Sequence, residues 1–129
     1  MAEKPAKTND LRISGRITQI YDGSGLIQRC PKCGRWIIDD FCIVHSDVRG
    51  LWDLRIKARF EDGKGRSTLI FKKDMTEKNV NIILREAKKL GEAATLERIK
   101  NALLGKEVEV EGVKLNGGNF LLVKNIRKV

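Results

Sequence analysis

The chain has 129 residues, 41% of them hydrophobic, enough to close one core and short for two domains. No apolar run approaches the roughly 18–20 residues that cross a bilayer, and "MAEKPAKTND" lacks the apolar segment of a secretory leader, so the expectation is a soluble, cytoplasmic protein without a membrane partner. Lys and Arg number 26 against 17 acids, a formal charge of +9 that points to a polyanionic partner, most often nucleic acid.

Residues 1–9 are polar and read as a flexible tail, which leaves 10–129 as the predicted domain. From Leu11, "LRISGRITQIY" reads as a first strand with Ile13 and Ile17 on one parity. Gly15 lies between them. A glycine inside a strand marks a bulge or a sharp coil, as small barrels require.

The next stretch, "CPKCGRWIIDDFCIVH", holds all three cysteines and the only histidine. An odd cysteine count cannot form a closed disulfide framework, and it fits a reducing compartment and a metal site better. The spacing is C-x2-C, eight residues, then C-x2-H. Pro31 and Gly34 suit a tight first turn, and Asp39-Asp40 suit a hairpin turn between Trp36-Ile37-Ile38 and Phe41. That hairpin would bring Cys30, Cys33, Cys42 and His45 together as a tetrahedral Cys3His set. A redox dithiol would want a strand-to-helix setting, and an iron–sulfur cluster usually wants four thiolates. A catalytic zinc would keep an open position beside a general base, and the H-x-E signature of zinc deaminases is absent. The prediction is one structural zinc in a ribbon over 27–47, with no catalytic residues and no enzymatic activity.

"LWDLRIKARFEDGKG" alternates cleanly. Trp52, Leu54, Ile56, Ala58 and Phe60 take one parity and Asp53, Arg55, Lys57 and Arg59 the other. Glu61 to Gly65 supply a hairpin turn, and Arg66 to Lys73 read as the returning strand. Asp74 or Thr76 can cap a helix in which Val80, Ile83, Leu84, Ala87 and Leu90 form one apolar stripe up to Gly91. A second short helix covers Leu96 to Leu103 and ends at Gly105. Strands at Lys106 to Gly112 and Asn119 to Val129 close the chain, joined through an Asn-Gly turn in "VKLNGG". Glu107, Glu109 and Glu111 point outward on the first of these, so one side of the molecule should be acidic where another is basic. The order is strand, metal insertion, strand, strand, helix, strand, strand. It predicts a mainly β protein: a five-stranded OB-fold barrel with a zinc ribbon inserted after strand 1 and a helical segment between strands 3 and 4.

These residues also carry a resemblance. "GRITQIY", the ribbon placed after the first strand, "DLRIKARFEDGKG" and "STLIFKKDMTE" together resemble the zinc-containing OB domain of archaeal replication protein A type single-stranded DNA-binding proteins. The resemblance implies single-strand binding along strands 2 and 3 beside the ribbon. Matching positions are Arg55, Lys57, Arg59, Arg66 and Lys72, with Trp36 and Phe41 in the ribbon. It further implies other OB-fold subunits as partners.

Single-strand binding needs cations for phosphates and aromatic faces for bases. Arg55, Lys57 and Arg59 recur every second residue and so line one face. Trp36 and Phe41 lie where little core exists to bury them, whether they stack on bases or pack over the metal knuckle. Tyr21 is a weaker candidate, while Trp52 and Phe120 are expected in the core. The function expected is sequence-tolerant single-stranded DNA binding in replication, recombination and repair, on the nucleoid. The alternatives are an RNA-binding or translation-associated OB/zinc-ribbon protein, and a small assembly subunit of a larger OB-fold complex.

Overall fold

One strand serves two neighbours, and that closes the barrel. In the computed structural model, which describes residues 10–115 and 119–129, β1 (Asp10–Ile20) pairs with β8 (Glu107–Lys114) from Asp10 to Arg16 and with β6 (Leu51–Glu61) from Arg16 to Ile20. The predicted tail and the Asn116-Gly117 turn lie outside the described residues. Gly15 sits just before the change of partner. A Cβ there would overlap the Glu61 carbonyl oxygen and lie 2.8 Å from Phe60 Cζ, so only glycine allows the strand to coil this tightly. A register shift between Ile17 and Gln19 adds the bulge that sharpens the bend.

The other strands complete the closure. β7 (Arg66–Phe71) returns antiparallel to β6, β9 (Phe120–Lys128) lies parallel to β7, and β8 pairs antiparallel with β9. The circuit β1–β8–β9–β7–β6–β1 is a closed five-stranded barrel with the OB order, as the sequence predicts. Outside the circuit, β2 (Gly25–Arg29) pairs with Leu51–Arg55 of β6, and β3 (Trp36–Ile37) folds back onto β2. A separate ladder joins β4 (Phe41–Cys42) to β5 (Ser46–Asp47).

The core follows strand parity. Leu54, Ile56, Ala58 and Phe60 of β6, Leu69 and Phe71 of β7, and Val108 and Val110 of β8 are buried with Ile17. Each large apolar side chain so placed contributes about 1.5–3 kcal/mol. Two expectations fail here. Trp52 has the inward parity but is 37% exposed, because this end of β6 runs past the barrel and pairs with β2, where no core faces it. Phe120 is also 37% exposed: Leu121 and Val123 point inward, so Phe120 points out.

The helical segment is three helices rather than two. α1 (Lys73–Val80), α2 (Leu84–Leu90) and α3 (Glu92–Leu103) follow one another directly. The single stripe expected up to Leu90 breaks at Asn81, which adopts a left-handed conformation (φ 58°) and ends α1. The break buries Ile82 in place of Ile83 and leaves Leu90 exposed. α3 begins four residues before Leu96. Neither predicted cap acts as one. Thr76 is buried within the first turn, where its hydroxyl donates to the Lys72 carbonyl at 2.9 Å, and Asp74 lies in that same turn. Val80, Ala87, Ile99 and Leu103 close one end of the barrel.

The acidic side expected from β8 is not found. Arg16 pairs with Glu107 at 2.6 Å, Arg12 with Glu111 at 3.6 Å, and Arg127 with Glu109. Cations from β1 and β9 thus neutralise all three carboxylates.

Candidate metal centre and nucleic-acid interface

The ribbon is built as two knuckles joined by a hairpin. Asp39 and Asp40 both take positive φ (56° and 58°), forming a two-residue turn that the Phe41 N–H closes onto the Ile38 carbonyl at 3.2 Å. Asp40 also clamps the ribbon. Its carboxylate accepts from Gln28 Nε2 at 3.0 Å and from the Gly50 N–H at 2.8 Å. Arg29 ties the first knuckle to β6 through an ion pair with Asp53 at 2.6 Å and a hydrogen bond to the Gly34 carbonyl at 3.0 Å.

In the first knuckle the Gly34 N–H donates to the Cys30 carbonyl at 2.8 Å, and the Lys32 N–H approaches the Cys30 sulfur at 3.4 Å. The ligand atoms of Cys30, Cys33, Cys42 and His45 all lie within 4.8 Å of one another. His45 Nδ1 is 3.5 Å from Cys30 Sγ and 3.6 Å from Cys42 Sγ, and Cys33 Sγ is 3.7 Å from Cys42 Sγ. A tetrahedron with Zn–S near 2.3 Å and Zn–N near 2.0–2.1 Å has edges of about 3.5–3.8 Å, so the four atoms fit one metal ion.

The electrostatics agree with that fit. Burial pushes the Cys42 thiol up, but the backbone N–H groups of Val44 and His45 and the His45 ring outweigh it and bring it down to about 6. The Arg35 backbone pulls Cys33 down, while burial and the neighbouring Cys30 and Cys42 sulfurs raise it, and the net shift is upward. Sulfurs this close resist ionising together unless a cation joins them. The ribbon's own core is Cys30, Ile37 and Cys42 with Val48 against them, too little to hold the two knuckles by burial alone.

The predicted basic row lies on the outer face of β6, and its members have different surroundings. Arg55 donates to the Gly23 carbonyl at 2.8 Å and its guanidinium lies 5.7 Å from the Trp36 ring centroid. Burial, and then the like charge of Arg29, lower it from its ordinary value against the pull of Asp53. Arg59 bonds Thr18 Oγ1 at 3.2 Å and pairs with Glu61 at 3.4 Å. Lys57 has no ion pair among the described residues, and its ammonium stands 5.6 Å from the Phe120 ring centroid. Arg66 is exposed at the start of β7, and Lys72 is exposed just past its end.

Trp36 is thus joined to the β6 row through Arg55 and stays 41% exposed. Phe41 is 52% exposed but belongs to the separate β4–β5 ladder, so the structure does not place it in the row. What joins the row instead is Phe120. Together with Gln19, Tyr21, Lys57 and Thr68 it lines a groove of about 430 Å³ across β1, β6, β7 and β9. The sequence signal for Phe120 was the parity of "NFLLVK": with Leu121 and Val123 inward, Phe120 faces out beside Leu122 and Lys124 only when the strand is read strictly by twos.

A closed five-stranded barrel, a helical segment between its third and fourth strands, and a Cys3His ribbon after the first define an OB-fold protein with a candidate metal site. No protein-family profile matches the chain, and no curated protein matches it in sequence. Solved structures do match in fold. A replication protein A heterotrimer bound to single-stranded DNA superposes with a TM-score of 0.57 at 11% identity over 93% of this chain, which spans 32% of that one. Yeast replication protein A bound to single-stranded DNA gives 0.59 at 12% identity, over 99% of this chain and 82% of the other. The fold expected from the resemblance to replication protein A is therefore the fold found.

Proposed function

We propose that this chain is a sequence-tolerant single-stranded DNA-binding protein of the replication protein A type, acting on the nucleoid in replication, recombination and repair. The observation that carries the reading is the outward groove, where Lys57, without an ion pair among the described residues, lies beside the exposed ring of Phe120. A cation for phosphate next to an aromatic face for a base is the pairing that single-strand recognition uses. Lys57, Arg66 and Lys72 would meet phosphates, with Arg59 nearby. Phe120 and Tyr21 would receive bases, with Trp36 at the edge of the row. Arg55 would chiefly hold Trp36, and Phe41 would lie at the margin. The likeness in fold to a replication protein A heterotrimer and to yeast replication protein A, each bound to single-stranded DNA, supports the same reading.

Cys30, Cys33, Cys42 and His45 would hold one structural zinc, which when bound cross-links the two knuckles. With four protein ligands no coordination position is left for chemistry, so the chain would act by binding and not as an enzyme. No helix among the described residues is long and apolar enough to cross a membrane. Fluorescence anisotropy with matched oligothymidine, oligouridine and duplex DNA tests the reading. Tightest binding to oligothymidine is expected; a preference for duplex would overturn the groove, and a preference for oligouridine would make the protein an RNA binder.

A further inference from the structure

A second and larger cleft, of about 600 Å³, opens between the ribbon and α3. It shares only Asp22 with the groove that holds Phe120. Its apolar lining includes Trp36, Ile38, Trp52 and Leu96, and Ile38 is 64% exposed. Trp52 is 37% exposed where β6 pairs with β2, and Ile38 lies on the exposed side of the ribbon hairpin, so both keep open apolar surface in the cleft.

The charge around this cleft opposes that of the molecule. Asp22, Asp39, Asp40 and Glu92 line it, and no Lys or Arg does, in a chain of net charge +9. Asp22, Asp39 and Glu92 take part in no ion pair among the described residues. A phosphate backbone would be repelled here. An apolar side chain flanked by Lys or Arg would satisfy both the tryptophan floor and the acidic rim, and the volume lies in the range of specific ligand sites.

We propose that the cleft between the ribbon and α3 docks a basic, apolar-anchored peptide segment of a partner protein, separately from the nucleic-acid groove. Leucine- or phenylalanine-like side chains enter between Trp52, Ile38 and Leu96, and flanking cations face Asp22, Asp39 and Glu92. Nucleic acid and partner then occupy different faces of one small domain.

The test sets the site against the net charge of the protein. A short fluorescein-labelled peptide of leucine and lysine, and its leucine–glutamate counterpart, are titrated into the metal-loaded full chain. Global charge favours the glutamate peptide, whereas the cleft favours the lysine peptide. Both tryptophans of the chain line the cleft, so their emission reports its occupancy. Saturable binding of the lysine peptide is expected, weakened about 10-fold or more by Asp39→Asn, which keeps the left-handed turn, with Glu92→Lys, and likewise by Ile38→Ser. All three positions are exposed, so metal content and melting temperature should stay unchanged. Equal or tighter binding of the glutamate peptide overturns the proposal, as does indifference to both variants. If the double variant raises oligothymidine affinity about 10-fold, the cleft lies on the nucleic-acid path instead. If the protein self-associates without peptide and Ile38→Ser abolishes this, the occupant is a second copy of the chain.

Discussion

Phe120 and Trp36 divide between them what single aromatic residues do in this protein. The Phe120 ring faces the groove and contacts Lys57, so Phe120→Ala removes a stacking surface and little core. Stacking is worth on the order of 1–3 kcal/mol per base, and oligothymidine affinity should fall roughly 5- to 150-fold in anisotropy titrations while the melting temperature holds. Trp36 has one neighbour of a different kind, the Arg55 guanidinium, which is held from behind by the Gly23 carbonyl. Trp36→Ala uncovers that half-buried cation, so a lower melting temperature should accompany any loss of affinity, with zinc content unaltered. Gly15 is the residue on which barrel closure depends. A methyl group there collides with backbone, which cannot rotate away, and Gly15→Ala should destabilise the protein by about 1–3 kcal/mol or more in urea unfolding.

Among the elements, the ribbon depends most on something beyond its own packing. With a core of one isoleucine and two cysteines it has little burial to resist unfolding, and structural zinc contributes an apparent ~10–16 kcal/mol in small modules. Chelation, or Cys33→Ser, should therefore remove stoichiometric zinc from elemental analysis. Hydrogen exchange should become fast over β3, β4 and β5, while β1, β8 and β9 remain protected by the barrel. The β6–β7 hairpin depends on Asp62, whose carboxylate accepts from the Lys64 and Gly65 N–H groups at 2.8 Å each. The Lys64 and Gly65 backbone bonds, in that order, hold its pKa below the ordinary carboxylate range. The folded value is depressed, so the stabilisation is present above the ordinary value and fades as pH falls through the folded one. An acid titration followed by the Gly65 amide resonance should show the turn loosening only at strongly acidic pH, and Asp62→Asn should remove that transition.

At the scale of the whole molecule, the distribution of charge matters more than its total. Five ion pairs among the described residues tie up Arg12, Arg16, Arg29, Arg59 and Arg127, most of them away from the groove. Lys57 in the groove, and Arg66 and Lys72 at the two ends of β7, take part in no ion pair among the described residues. If these and one or two neighbours neutralise about 3 to 5 phosphates, the log–log salt dependence of single-strand affinity should have a slope near −2 to −3.5, at roughly −0.7 per phosphate. Lys57→Glu with Arg66→Glu should flatten that slope, whereas reversing Arg12 and Arg127, which face Glu111 and Glu109, should change it little.

Much of this protein was legible along the chain because the relevant signals are local. Alternation in "LRIKARF" determined the inner and outer faces of β6, and the spacing of Cys30, Cys33, Cys42 and His45 determined which side chains could share a metal. Asp39-Asp40 specified the hairpin between the knuckles because few residue pairs tolerate two successive left-handed conformations. The order of strands and helices specified the barrel. What only tertiary structure decided was how far each pattern extends and what each charge meets. Trp52 continues the inward parity of β6 and still faces solvent, because burial requires an opposing layer and the barrel ends before it. Phe120 became a groove residue because β9 starts beside Thr68 on the open face. The helical stripe split at Asn81 because Ile82 found the core there and Ile83 did not. The glutamates of β8 ceased to form an acidic face once the closure of β1 and β9 brought three arginines to them, and Arg55, a phosphate ligand by its parity, was drawn under Trp36 by a fold-back that no period along the chain records.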